Sequence, residues 1–199
     1  IKEKTIFDGG GIRLIYDELE YELEKRAAAT VLDFGCGSSV HWHLPVPIPG
    51  QKVNIPATQY LGAKLRGFFR YDPAHPLYNE KPTGTFDIVM CTEVLEHIPN
   101  PFEFLVNVKN VVKLGGFFCA VVPNDYNPIQ EIFTEISGVR KWWLEPPFHL
   151  NYFNKQSLEH LIERAGFQVV HSTVMFPIDF FILLKDFKNN GSDLSNKWT

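Results

Sequence analysis

The run from Val31 to Ser39, with the sequence VLDFGCGSS, constrains the fold of this chain more than any other feature. It begins as a short apolar stretch and ends abruptly in glycines and small polar residues. An unbroken apolar strand is typical of a parallel sheet covered on both faces, and such sheets bind ligands beyond the carboxyl ends of their strands. The glycines allow a sharp turn and the close approach of a bulky ligand. The run therefore predicts an α/β fold with a ligand site after this strand.

A second run of the same kind lies at Phe86 to His97, with the sequence FDIVMCTEVLEH. A Thr-Gly turn signal precedes it, and Ile88 to Met90 form a continuous apolar centre, which predicts another buried strand. Cys91, Thr92 and Glu93 follow that centre. Together the two runs indicate a nucleoside-cofactor site that is shared by two strand ends.

The remaining pattern alternates strands with helices, which predicts an α/β sandwich with a mainly parallel sheet. Helices are indicated by apolar residues at helical spacing, and strands by short apolar runs between turns. Alternating prolines in 38–50 limit any helix after Gly37 to a short one. The predicted elements are a helix over 12–26, strands over 31–34, 67–71 and 85–91, a helix from Pro101 to the Leu114-Gly115-Gly116 stop, a strand over 117–122, a helix over 155–165 with Asn154 as N-cap, and a strand over 167–176.

The size of the chain favours one domain over residues 1–199. With 199 residues, of which 45% are hydrophobic and 21% charged, it can bury one sizeable core. Within that domain we expect a helical lead over 11–27, an aromatic lid and acceptor segment over 123–153, and a loose polar tail over 188–199.

The charge and the cysteines narrow the partners and the compartment. A net charge of −4 gives no general reason to bind a polyanion, so nucleic acid is disfavoured. No apolar run reaches the roughly 20 residues of a membrane span, and the start at Ile1 has no secretory pattern, so no membrane partner is expected. Cys36, Cys91 and Cys119 fit buried thiols of a cytoplasmic protein. Ile1 in place of Met leads us to expect that the natural start is missing or was processed.

A carboxylate after the next predicted strand adds a second element to the cofactor site. Asp72 lies where it can bind both hydroxyls of a ribose, although a turn-forming role before Pro73 is the alternative. A dinucleotide fingerprint would need glycine at the sixth position of the run that begins at Gly35, and that position is Val40. The pattern therefore favours a nucleoside ligand without a pyrophosphate.

These residues and their order resemble the class I S-adenosylmethionine-dependent methyltransferases. Leu32 to Gly37 is similar to the first motif of that family, and Phe86 to Val89 leading into Val94 to Ile98 is similar to its fourth. Leu114 to Phe117 and Gly166-Phe167 match the positions at which later strands of that family begin. The resemblance implies a Rossmann-like three-layer α/β sandwich, with a mostly parallel seven-stranded sheet whose last strand is antiparallel.

The resemblance also implies S-adenosyl-L-methionine as the cofactor. The residues expected to contact it share positions at strand ends and are Asp33, Phe34, Gly35, Cys36, Gly37, Asp72, Cys91, Thr92 and Glu93. The backbone of the first five would hold the aminocarboxypropyl end and the ribose. Asp72 would bind the ribose hydroxyls, and the last three would line the methionine portion.

Two histidines are the candidate catalytic residues. Methyl transfer from a sulfonium mainly requires alignment of acceptor, methyl group and sulfur, but an oxygen acceptor must also lose a proton. Histidine, with an ordinary pKa near neutrality, is suited to take it. His97 follows the strand-end acids, and His149 lies in the aromatic segment; structural or surface positions are the alternatives. We expect a small-molecule acceptor, methylated on an oxygen or nitrogen of a sugar or biosynthetic metabolite.

A divalent cation is an alternative at the same place. If Glu93, Glu96 and His97 lie on a helix, they share a face and with His149 could ligate a metal. This arrangement is similar to the metal sites of small-RNA 3′-terminal 2′-O-methyltransferases and ubiquinone-pathway O-methyltransferases. Many class I enzymes have Val-Leu-Glu-His without a metal, and we predict no metal ligand. The competing functions are a metal-assisted RNA 2′-O-methyltransferase and a non-catalytic cofactor-binding or scaffold module; the oligomeric state is left open.

Overall fold

The computed structural model describes residues 3–8, 29–37, 45–47, 54–56, 65–138, 140–141 and 143–174. The described strands are β1 (Glu3–Asp8), β2 (Ala29–Phe34), β3 (Pro45–Pro47), β4 (Asn54–Pro56), β5 (Leu65–Tyr71), β6 (Phe86–Thr92), β7 (Val112–Val121) and β8 (Phe167–Thr173). Six of them form one sheet in the order β5-β2-β6-β7-β1-β8, with every neighbouring pair parallel. β3 and β4 form a separate antiparallel pair. The fold is therefore Rossmann-like, with a parallel central sheet.

The centre of the sheet is buried on both faces, as the two apolar runs predict. Consecutive residues of β2 and β6, such as Val31-Leu32 and Ile88-Val89, are almost fully inaccessible to solvent. Since neighbouring side chains of a strand point to opposite faces, both faces must be covered. The strong apolar character of these two strands thus follows from their central position.

Three helices and one short turn complete the described part of the chain. They are α1 (Pro101–Lys109), α2 (Pro128–Ser137), α3 (Lys155–Arg164) and a 3₁₀ turn at Leu95–His97. Asn154 caps α3 by accepting a hydrogen bond from the Ser157 backbone N–H, as predicted. Leu105 of α1 and Leu158 of α3 belong to the same buried cluster as the central strands. These helices therefore support the sheet beneath the strand ends.

The helix that begins at Pro101 is shorter than the sequence predicts. It ends at Lys109, and β7 begins at Val112, before the glycine pair that was expected to end the helix. The Phe86 N–H donates to the Val111 carbonyl, and the β6–β7 register shifts between Phe86 and Ile88. Pairing with β6 therefore draws this segment into the sheet, and Gly115, with φ of 74°, lies at an irregularity within the strand.

Two features of the predicted sheet are not among the described residues. No seventh strand of this sheet and no antiparallel last strand occurs in them, because β8 runs parallel to β1. The sequence prediction also omitted β1, the β3–β4 pair and α2. The predicted lead over 11–27 and tail over 188–199 lie outside the described residues, as does any helix directly after Gly37. Within the part of the chain that the structure covers, no helix has the length and apolar character of a membrane span.

Candidate functional site

The loop after β2 and the carboxylate after β5 meet at the carboxyl edge of the sheet. The backbone N–H groups of Gly35 and Cys36 donate to the Tyr71 carbonyl at 2.7 and 3.2 Å. The Gly37 N–H donates to Asp72 Oδ2 at 2.9 Å, and the Ala74 N–H donates to Asp72 Oδ1 at 2.8 Å. The structure thus brings Asp72 to the glycine loop, and each carboxylate oxygen keeps a second lone pair for a ligand hydroxyl.

The two glycines of this loop have different roles. Both have left-handed backbones, with φ of 77° at Gly35 and 50° at Gly37. A Cβ at Gly35 would lie 2.5 Å from Val94 Cγ2, so the loop packs directly against the segment that follows β6. A Cβ at Gly37 would meet no atom of the described residues within 4 Å. The described residues thus leave room beside Gly37, next to the Asp72 carboxylate, where a ribose would fit.

Some of the residues predicted to contact the cofactor have side chains that pack inside the protein, so only their backbone can contact a ligand. The Phe34 ring packs edge-on against Tyr71 and Phe104, with centroids 4.9 and 5.2 Å apart. Asp33, Cys36 and Cys91 are buried. Burial raises the pKa of the Cys91 thiol well above its ordinary value, so this side chain is neutral and not a nucleophile.

Two carboxyl groups after β6 have strongly raised pKa values. Glu93 has a left-handed backbone with φ of 53°, and its N–H donates to the Val121 carbonyl. Burial of its carboxyl, followed by repulsion from Glu96, raises the pKa of Glu93 to about 8, although the residue keeps an exposed surface. Glu96 is 0% exposed, and burial raises its pKa to about 7. Because Glu93 precedes the 3₁₀ turn, the helical face expected for Glu93, Glu96 and His97 does not form.

A third buried acid, Asp125, was not identified from the sequence. It is 2% exposed, and burial, followed by repulsion from Glu93 and Glu145, raises its pKa to about 6. Its backbone N–H donates to the Phe153 carbonyl at 2.6 Å. An acid a few residues after the end of β7 repeats the pattern of Asp72 after β5, and that pattern could have identified it.

The two predicted histidines lie side by side. The ring centroids of His97 and His149 are 4.9 Å apart. His97 Nδ1 lies 2.8 Å from the Phe148 carbonyl oxygen, and since a carbonyl only accepts, Nδ1 carries the proton. In neutral His97 the other nitrogen, Nε2, is therefore unprotonated, and it lies 3.8 Å from Glu96 Oε1. The structure thus places an acceptor nitrogen beside the buried acid.

Several polar atoms around this pair are buried without a hydrogen-bond partner in the described part of the chain. They are Glu96 Oε1 and Oε2, His149 Nδ1 and Asp125 Oδ2; the Glu96 carboxyl lies beside that of Glu93, and the two can share a proton. Ligand atoms of Glu96, His97 and His149 all lie within 4.8 Å of one another, close enough for one cation. Unpartnered buried polar atoms are costly, so these residues have the chemistry of a site that a ligand could occupy.

Aromatic side chains extend the site on the side of His149. The Tyr126 ring lies 5.8 Å from Trp143 and 6.4 Å from Tyr152, in edge-on contacts, and Tyr152 lies 6.3 Å from His149. Lys141 Nζ lies 4.8 Å above the Tyr126 ring. Tyr126 has an uncommon left-handed backbone, with φ of 53°. These residues belong to the segment that the sequence predicts as the acceptor wall.

Comparisons with known proteins identify the family to which the chain belongs. A family model described as a methyltransferase domain matches residues 8–172. The chain is similar to a Mycolicibacterium smegmatis protein whose name describes an S-adenosylmethionine-dependent methyltransferase, with 25% identity over 82% of this chain and 60% of that protein. It is also similar to a ubiquinone biosynthesis O-methyltransferase of Xanthomonas euvesicatoria, with 29% identity over 53% of this chain and 46% of the relative.

Other similarities are more distant in sequence or length. A tRNA U34 carboxymethyltransferase of Hydrogenovibrio crunogenus is 25% identical over 78% of this chain and 49% of its own length. The chain therefore spans about half the length of the curated relatives that it matches. Among solved structures, the trans-methyltransferase CalH in complex with SAH has a TM-score of 0.43 and 15% identity, over 76% of this chain and 48% of that chain.

Proposed function

Because the chain belongs to the class I S-adenosylmethionine-dependent methyltransferases, we propose that it transfers a methyl group from S-adenosylmethionine to an oxygen or nitrogen of a small-molecule acceptor. The observation that carries this proposal is the pair of imidazoles, His97 and His149, at the same sheet edge as the glycine loop. The contact of Gly35 with Val94 joins that loop to the segment that carries His97.

The glycine loop and Asp72 suit the nucleoside part of the cofactor. Bound S-adenosylmethionine supplies an activated methyl group on a sulfonium. The Asp72 carboxylate accepts hydrogen bonds from the ribose hydroxyls while it also accepts from the N–H groups of Gly37 and Ala74. Glu93 directly follows β6, whose carboxyl end lies at the same edge of the sheet. These residues bind and orient, which is the main requirement of methyl transfer.

His97 is the residue we assign as base for an oxygen acceptor. Its Nδ1 proton is held by the Phe148 carbonyl, which leaves Nε2 to accept a proton from the acceptor hydroxyl. Glu96 Oε1 lies 3.8 Å from His97 Nε2. When the Glu96 carboxyl is ionised, its negative charge stabilises the imidazolium that His97 forms on accepting the proton. His149 and Tyr152 line the acceptor side of the pair. This role for His97 favours oxygen over nitrogen as the methylated atom.

Substitution of Asp72 tests the cofactor site. Asp72→Ala removes the hydrogen bonds from the Gly37 and Ala74 N–H groups and the expected hydrogen bonds from the ribose. Hydrogen bonds to charged groups contribute about 1.5–3 kcal/mol each. We expect S-adenosylmethionine to bind about 10–150-fold more weakly in calorimetry, with the fold retained by circular dichroism. Glu80→Ala serves as the control, because Glu80 is an exposed acid in the loop between β5 and β6, which also contains Asp72. Equal affinity of the two variants would reject the ribose role.

The acceptor class is tested by following the methyl group itself. Wild-type protein is incubated with methyl-labelled S-adenosylmethionine and, in parallel, with a small-metabolite extract and with total RNA. We expect label in the metabolite fraction and a loss of that label in His97→Ala. Label in RNA alone would reject the small-molecule acceptor, and no label with intact cofactor binding would favour a binding module.

The second candidate function is metal-assisted methyl transfer, which includes transfer to an RNA ribose hydroxyl. The close approach of Glu96, His97 and His149 favours it, because carboxylates suit Mn²⁺ and Mg²⁺ and imidazoles suit other divalent transition metals. Glu96, His97 and His149 would hold the ion. A bound ion would supply Lewis-acid activation of the acceptor hydroxyl.

Direct binding measurements test this second candidate. We expect calorimetry to detect Mn²⁺ binding to wild-type protein and a loss of about tenfold or more in affinity for His149→Ala. His160→Ala, which removes an exposed histidine of α3, is the matched control. A wild-type chain that binds neither Mn²⁺ nor Mg²⁺ would rule this candidate out.

A further inference from the structure

The segment Phe148–Asn151 is joined to the 3₁₀ turn by five hydrogen bonds. The Leu150 and Asn151 N–H groups both donate to the Glu96 carbonyl, at 2.7 and 3.0 Å. The Asn151 side-chain amide donates to the Leu95 carbonyl at 3.2 Å and to the Ile98 carbonyl at 2.6 Å. His97 Nδ1 donates to the Phe148 carbonyl at 2.8 Å. The two segments are about fifty positions apart in the chain, so these bonds are long-range contacts.

The 3₁₀ turn depends on these contacts because its own hydrogen bonds are few. Its backbone bonds are His97 N–H to the Val94 carbonyl at 3.0 Å and Ile98 N–H to the Leu95 carbonyl at 3.4 Å. Val94, at its N-terminus, provides no side-chain cap. A 3₁₀ turn has poor hydrogen-bond geometry, and its free carbonyls require other donors. The segment Phe148–Asn151 supplies donors to the carbonyls of Glu96 and Ile98, and a second donor to the Leu95 carbonyl, which already accepts from the Ile98 N–H.

Asn151 is the side chain best suited to this contact. Both partners of its amide are carbonyl oxygens, which only accept, so the amide nitrogen must face them. Aspartate has the same shape but no donor, and alanine lacks the polar group. The side chain is half-buried, so water can reach the carbonyls if the amide is removed.

We propose that Asn151 is a positioning residue that holds His149 against Glu96 and His97. Glu96 and His97 belong to the 3₁₀ turn. His149 belongs to the segment Phe148–Asn151, two residues before Asn151 in the chain. The Asn151 side chain makes two of the five hydrogen bonds between them and so supports the 4.9 Å contact between the two imidazoles. This inference rests on the proposed function for its catalytic consequence, but the geometry it describes can be measured without turnover.

Nuclear magnetic resonance of histidine-labelled full chain tests the geometry. Ring protons of His97 and His149 should show a mutual nuclear Overhauser effect in wild-type protein. In Asn151→Asp and Asn151→Ala we expect this signal to be lost, while the affinity for S-adenosylmethionine stays within about twofold. Turnover should fall about 10–100-fold in both variants, since a small misplacement of reacting groups has an effect of that size.

Asn154→Asp is the matched control, because it makes the same chemical change three residues away. Aspartate is as good an N-cap as asparagine, so the ring contact and turnover should match wild type. An unchanged ring contact in both Asn151 variants would overturn the proposal, as would parallel loss of cofactor affinity or fold in both. If wild-type protein methylates no acceptor, the proposed function fails, and the ring contact alone decides the role of Asn151.

Discussion

Gly35→Ala is expected to destabilise the protein and nearly abolish binding of S-adenosylmethionine. The new Cβ would meet Val94 Cγ2 at 2.5 Å and Cγ1 at 3.1 Å, on a backbone with φ of 77°. Left-handed strain contributes roughly 1–2 kcal/mol and overpacking roughly 1–3 kcal/mol. We expect the free energy of unfolding to fall by about 3 kcal/mol and the melting temperature by about 6–12 °C, measured by calorimetry.

Two further variants separate strain from collision. Gly84→Ala introduces the same kind of strain, with φ of 87°, where a Cβ meets no described atom within 4 Å; we expect a loss of about 1–2 kcal/mol. Val94→Ala in the Gly35→Ala background removes both colliding methyl groups. The double variant should be more stable than the sum of the single changes predicts. Additive losses would show that the contact with Val94 is not the cause.

Glu96→Gln is expected to reduce turnover while increasing stability at alkaline pH. Turnover should fall about 10–100-fold, the usual effect of removing a group that supports a functional histidine. The substitution also removes a buried carboxyl that repels the Glu93 carboxyl when both are ionised. At pH 8 in chelator-treated protein, we expect the free energy of unfolding to rise by about 1–2 kcal/mol, since the neutral amide still has its own burial cost.

The pH dependence of stability provides a second measure of the same residue. The pKa of Glu96 rises from 4.5 to about 7 on folding, so between these values the native state keeps a proton that the unfolded chain releases. The stabilisation that this proton gives the native state is therefore fully present below pH 4.5 and is lost as the pH rises through about 7. The free energy of unfolding changes by up to about 3 kcal/mol over this range. Denaturant titrations from pH 4.5 to 8 should show this decline.

The same titrations in the variant complete the test. In Glu96→Gln the decline of stability between pH 4.5 and 8 should become shallower, with a remainder from Glu93 and Asp125, whose pKa values are also raised. Glu163→Gln, an exposed acid of α3, should behave like wild type. A pH profile in Glu96→Gln that is as steep as in wild type would contradict the assigned pKa of Glu96.

The central strands and the cofactor edge were predictable because their signals are local. Burial of β2 and β6 on both faces requires unbroken apolar runs, and the glycine loop must directly follow its strand. The position of Asp72 beside Gly37 follows from the rule that parallel strands end at one edge. Asn154 was identifiable because an N-cap bonds a backbone group only three residues away.

Other features depend on contacts that a local pattern does not encode. Val111 and Val112 fit a helix or a strand equally well, and the pairing of Val112 with Phe86 decides between them. The raised pKa of Glu96 follows from complete burial, whereas charged residues are commonly exposed. The pairing of His97 with His149 depends on hydrogen bonds across the two segments. Sequence patterns identified both histidines but brought them together only in the metal alternative.

The position of β1 has a consequence for how the chain acquires its structure. β8 joins the sheet through β1, and β1 in turn pairs with β7, so the first described strand lies between two strands from the second half of the chain. During synthesis from the N-terminus, β1 can pair with β7 only after residues 112–121 have emerged, and β8 can join the sheet only once β1 is in place. Closing loops of this length is slow, which makes docking of β8 onto β1 the expected last step of folding.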